Sequence, residues 1–102
     1  MSQTHGIRNA SSRPLFPLGQ VVATPGALQV LDQAAVNAWD LLRRHQRGDW
    51  GNVPPEDAEE NGRSVANGWR ILSSYPVSEE HRIWIITEAD RSVTTLLLPD
   101  EY

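Results

Sequence analysis

The spacing of apolar positions changes partway along the chain. Between Thr24 and about Gly68 apolar residues recur every three or four places; beyond that they fall in short alternating or continuous runs. The first pattern predicts helices and the second predicts strands. Thr24-Pro25 opens a first helix with a capping hydroxyl followed by proline, and Ala27, Leu28, Val30, Leu31 and Ala34 follow at helical spacing. Asn37 caps a second helix, with Asp40 in its first turn and Trp39, Leu41 and Leu42 facing inward. Arg43, Arg44, His45 and Arg47 crowd its last turn, where cations suit the helix dipole, and Gly48 fits a C-cap. Pro54-Pro55 starts a third helix with Glu56, Asp57, Glu59 and Glu60 near its N-terminus and Gly68 at its end. Its inward stripe is Ala58, Asn61 or Gly62, Val65 and Trp69, which puts an amide on an apolar face. Ahead of these, residues 14–18 form a short apolar stretch whose two prolines keep it out of a central strand, and residues 20–23 suit a short strand.

Three strands are expected after the helices, at about 69–75, 82–88 and 92–98. Setting Glu88 opposite Arg91 pairs Ile86 with Val93 and Trp84 with Thr95. Trp84, Ile86, Val93, Thr95 and Leu97 then share one face, and Ile85, Thr87, Thr94 and Leu96 line the other. That second face is expected to be solvated or buried in a homodimer. The fold class is therefore α+β, with two or three N-terminal helices packed on a three- to four-stranded antiparallel β-meander. A single domain over 14–102 follows a polar tail, 1–13, expected to be disordered.

Composition narrows the setting. A chain of 102 residues makes one domain and buries roughly 60–70% of its unfolded surface. The absence of cysteine rules out disulfides and thiolate metal sites. With no apolar run near ~18 residues and no signal-like start, a cytoplasmic location away from membranes is expected. The net charge of -4 makes the chain a poor general nucleic-acid binder. All nine cations are arginine, a bias that GC-rich coding would produce by itself and that also suits bidentate contacts to particular partners.

Two clusters carry candidate chemistry. In residues 43–51, His45 suits general acid–base work, Asp49 could orient it, and Trp50 sits in a loop where a binding tryptophan belongs. The plain structural reading has the cations complement the helix end and Trp50 fill the core. The second cluster is the C-terminal hairpin. There Glu88 as base and Arg91 as phosphate clamp would serve a metal-independent ribonuclease, assisted by Tyr75 or Thr95. The plain reading makes Glu88 and Arg91 a cross-strand ion pair contributing roughly 0.2–1 kcal/mol. Asn61, Asp90 and Thr94 complete the candidate binding residues. Neither a cofactor nor a metal is expected: there is no glycine-rich phosphate loop and no paired-histidine pattern.

Phe16-Pro-Leu-Gly, Ala23-Thr-Pro-Gly-Ala-Leu, Arg44-His-Gln-Arg-Gly-Asp-Trp-Gly, Arg70-Ile-Leu-Ser-Ser-Tyr and the run from Trp84 to Tyr102 cover most of the chain. On these pieces it resembles a family of small uncharacterised bacterial proteins carried on plasmids and integrative elements. The resemblance implies an accessory protein of a mobile element and no established reaction. In layout the chain also resembles the barnase, colicin and RelE group of ribonucleases, but it is acidic and has no histidine near the end of its last strand. The expected function is binding of a host or element macromolecule, most simply a protein, as in inhibition of CRISPR or restriction defence. The alternative is a small ribonuclease acting on RNA through His45, Glu88 and Arg91.

Overall fold

The computed structural model describes residues 13–102. Most of the tail expected over 1–13 lies outside these residues. The element order is β1 (Gln20–Ala23), α1 (Pro25–Ala34), α2 (Ala38–Gln46), α3 (Pro55–Asn67), β2 (Ile71–Pro76), β3 (Arg82–Thr87) and β4 (Val93–Leu97), followed by a 3₁₀ turn (Pro99–Glu101). The class is α+β, but the sheet is mixed rather than a pure antiparallel meander. Its order is β1-β4-β3-β2, and β1 runs parallel to β4. The parallel pair is joined by residues 24–92, which include all three helices, and a parallel pair requires a long crossover of this kind.

The helices start where their caps dictate. Thr24 Oγ1 accepts from Ala27 N, and Asn37 Oδ1 accepts from Trp39 N. α3 begins on Pro55 and ends at Gly68 in the left-handed region. Ala27, Val30 and Leu31 of α1 and Leu41 and Leu42 of α2 pack with Tyr75, Ile83, Ile85 and Leu96 in one core. Thr87 and Thr94 lie fully buried on that same sheet face. The face expected to be solvated or dimeric is thus the core face, because alternation alone does not say which side the helices cover. Trp39 and Trp69, expected inward, are 54% and 47% exposed. Each lies one position off the buried stripe of its helix or beyond the helix end.

The hairpin register differs from expectation by two residues. Trp84 pairs with Leu97, Ile86 with Thr95 and Thr87 with Thr94. A shift of two preserves the faces. It also enlarges the loop: Arg91 N bonds Glu88 O at 2.9 Å, Glu88 N bonds Val93 O at 3.0 Å, and Arg91 takes φ 63°. The expected turn had set Arg91 directly opposite Glu88, with only Ala89 and Asp90 between them.

The outer edge of β2 is covered without a further strand. Asn61 Nδ2 donates to Leu72 O at 2.8 Å and its Oδ1 accepts from Leu72 N at 3.2 Å, so one amide side chain imitates a neighbouring backbone. Two residues on, Ser74 N donates to Trp50 O and Ser74 O accepts from Asn52 N. Gly51, between them, has φ 76°, and a Cβ there would collide with the Ser74 carbonyl. Covering both positions removes most of an exposed pairing edge. Asn61→Leu should lower stability by about 1–3 kcal/mol, since a buried amide is lost and two backbone groups go unpaired. Urea unfolding should show a lower midpoint at unchanged slope; an unchanged midpoint would remove Asn61 from this role.

Candidate functional site

The last turn of α2 carries His45 inward, because Leu41, Leu42 and His45 fall at the i, i+1 and i+4 positions of its buried face. His45 is 0% exposed. Nδ1 lies 2.6 Å from Ser73 Oγ and Nε2 lies 2.9 Å from Thr87 Oγ1. Thr87 Oγ1 is 2.7 Å from Thr94 Oγ1, which donates to Leu18 O at 2.7 Å. For a neutral imidazole, proton counting fixes every direction. A carbonyl only accepts, and each hydroxyl has one proton. Thr94 therefore donates to Leu18 and accepts from Thr87. Thr87 in turn accepts from His45, so the imidazole carries its proton on Nε2. Nδ1 is left as the acceptor for the Ser73 hydroxyl.

This row of hydrogen bonds crosses the core from β2 through α2 to β3, β4 and the segment before β1. Phe16 and Trp50 close on the imidazole edge-on, at 5.2 and 6.0 Å between ring centres. Burial, with a smaller contribution from the Arg91 charge, lowers the His45 pKa to about 3. Asp49, expected to orient His45, instead binds the Arg44 guanidinium at 2.7 Å. That pairing, aided by the Gly51 N–H, holds the Asp49 carboxyl below its usual range. Tyr75 is fully buried, donates to Asp49 O at 2.6 Å and lies under the Arg44 guanidinium. Burial pushes its phenol up to about 12.

Arg91 does not pair with the Glu88 carboxylate. Its Nη1 donates to the carbonyls of Trp69, Glu88 and Ala89, and its Nη2 donates to Ser64 O. It therefore ties the end of α3 to the hairpin loop. Glu88 pairs with Arg70 at 3.3 Å, and Arg70 Nη1 also donates to Tyr102 Oη at 2.7 Å. Tyr102 packs edge-on against Trp84, 5.8 Å between ring centres. Asp90 accepts from Ser92 N and Oγ and so holds the loop. Thr95 is half-buried on the other sheet face, away from His45.

The sequence-nominated residues thus fall into separate places: His45 and Thr94 share the buried row, Glu88 lies with Arg70, and Arg91 is engaged with carbonyls. No family profile, curated protein or solved structure matches this chain, so the chemistry rests on the geometry alone. Among the described residues no group of three or more His, Asp or Glu is placed to hold a metal ion. Arg70 and Tyr102 escaped the sequence reading, and Ser73 was given no role of its own in it. Ser73 was legible in principle, since it alternates onto the same face as Tyr75. Nothing in the pattern announces that the C-terminal turn folds Tyr102 back over Trp84.

Thr87→Val keeps the shape but strands the His45 Nε2–H and the Thr94 acceptor, and should cost about 1–3 kcal/mol. The lowered His45 pKa also gives a sign in pH. The unfolded chain takes up a proton that the folded state refuses. Stability from this group is therefore complete above about pH 6.5 and is lost as pH falls toward about 3, by up to about 1.4 kcal/mol per pH unit. Chemical unfolding at several pH values should give a shallower slope between pH 6 and 4.5 for His45→Gln than for wild type. Parallel slopes would show that His45 is not held neutral by the fold.

Proposed function

We propose that this chain is a mobile-element accessory protein that acts by binding a protein of the host or element, with inhibition of a CRISPR or restriction complex as one form of that action. The mobile-element setting comes from the resemblance described above. The binding role is supported chiefly by the burial of His45, which leaves the one nominated base of near-neutral pKa neutral, saturated with hydrogen bonds and out of solvent. Arg91, the nominated phosphate clamp, is likewise engaged with backbone carbonyls. Large apolar side chains meanwhile remain outside, with Trp39 and Trp69 about half exposed. Exposed tryptophan is the residue type most enriched at binding hot spots.

One observation favours the ribonuclease reading. Glu88, Arg70 and Tyr102 gather an acid, a cation and a phenol on an accessible part of the surface. The adjoining groove of about 210 Å³ is lined by Asp57 and Glu60 as well as Arg70. Those carboxylates oppose a phosphate, so binding remains the better-supported role.

Induced expression in a bacterial host tests both. Wild type and a Glu88→Gln/Arg70→Gln variant should leave total RNA equally intact. Affinity-tagged wild type should retain one partner at stoichiometric yield from a natural host. RNA cleavage by wild type alone would replace the binding role with catalysis.

A further inference from the structure

Resting on the binding reading, we infer that the outer face of α2 and the adjoining Pro14 form a docking site for an extended acidic peptide segment of the partner. Trp39, Arg43 and Arg47 follow one another at four-residue spacing, a stripe opposite the buried Leu41, Leu42 and His45. A groove of about 190 Å³ between α2 and the preceding segment is lined by Pro14, Arg43, Gln46 and Arg47.

Charge complementarity selects the occupant. Arg43, Arg44 and Arg47 place three of the nine arginines on residues 38–49. Asp40 and Asp49 are the two acidic residues of the same stretch. Asp40 answers Arg43 at 3.2 Å and Asp49 answers Arg44 at 2.7 Å. Arg47 forms no ion pair among the described residues. The Arg43–Asp40 pair is more than half exposed on both sides, so a partner carboxylate can replace Asp40 at small cost. A cationic groove on an acidic chain favours acidic protein over nucleic acid, whose dense phosphate charge the rest of the surface repels.

Spacing refines the occupant. Four helical residues rise about 6 Å, close to the roughly 6.6 Å between alternate residues of an extended strand. A segment with an apolar residue and two acids at alternate positions therefore sets its apolar side chain on Trp39 and its carboxylates on Arg43 and Arg47.

The test uses ¹⁵N-labelled full-length protein and the peptide acetyl-Gly-Phe-Ser-Glu-Thr-Glu-Ser-Gly-amide, titrated to millimolar concentration. The Trp39 indole N–H and the Arg43 and Arg47 Nε–H signals should shift saturably, while those of Trp50 and Trp84 stay put. Glutamine in place of both glutamates should weaken binding by about tenfold or more, equivalent to about 1.4 kcal/mol. Arg43→Glu/Arg47→Glu, exposed changes compatible with folding, should abolish it. No shift with wild type, shifts centred elsewhere, or an equal response to oligothymidylate would overturn the proposal. If the double variant still retains the natural partner as well as wild type does, this surface is wrong and the binding reading stands. If wild type retains no partner and cleaves RNA, the binding reading itself falls.

Discussion

The hydrogen-bonded row through His45 is the constraint on which the rest of the structure depends. It joins β2, α2, β3, β4 and the Leu18 carbonyl in a single direction of proton donation. Each of its side chains is buried, so each unmade bond would leave a desolvated polar atom, and no buried side-chain nitrogen or oxygen among the described residues is left so. An apolar core alone would allow α2 to slide or rotate on the sheet at modest cost. A row that is satisfied only when all five segments are in register does not. The neutral imidazole suits this use because it donates from one edge and accepts on the other.

Elsewhere, too, polar side chains take on backbone work. Asn61 stands in for a strand beside β2, and Arg91 gathers four carbonyls at the junction of α3 and the hairpin. Glu101 Oε1 accepts from Thr24 Oγ1 and Leu98 N, which fixes the C-terminal turn against the start of α1. These contacts leave Arg70, Glu88 and Tyr102, and separately Trp39, Arg43 and Arg47, at least partly exposed at the surface. His45 and Arg91, two of the nominated catalytic residues, are both engaged in holding the fold.

Much of the secondary structure was legible because it rests on local rules. Thr24, Asn37, Pro55 and Gly68 mark helix ends through caps and φ restrictions that act within a few residues. Asn61 was placed on a buried face by helical spacing, and its hydrogen bonds bear that out. What stayed hidden depends on contacts between distant segments. The parallel pairing of β1 with β4 joins residues about seventy positions apart, and no local pattern distinguishes it from an antiparallel edge. The side of the sheet covered by helices is equally non-local, which is why Thr87 and Thr94 looked like surface residues. The hairpin register turned on one backbone angle, at Arg91, where a non-glycine residue takes the left-handed region. Of the candidate site, residue types were legible and their grouping was not. His45 and Glu88 belong to separate environments, and Glu88 finds Arg70 rather than Arg91.

The central claim is that His45 is a neutral structural element and not a base available to a substrate. Its ring nitrogens can be observed directly by ¹⁵N NMR across a pH titration of the folded protein. The account predicts a proton on Nε2, an unprotonated Nδ1, and no titration of His45 between pH 7.5 and 4.5. A His45 that titrates near about pH 6.5, the value of a free imidazole, or that carries its proton on Nδ1, would contradict the account and return His45 to the list of candidate bases.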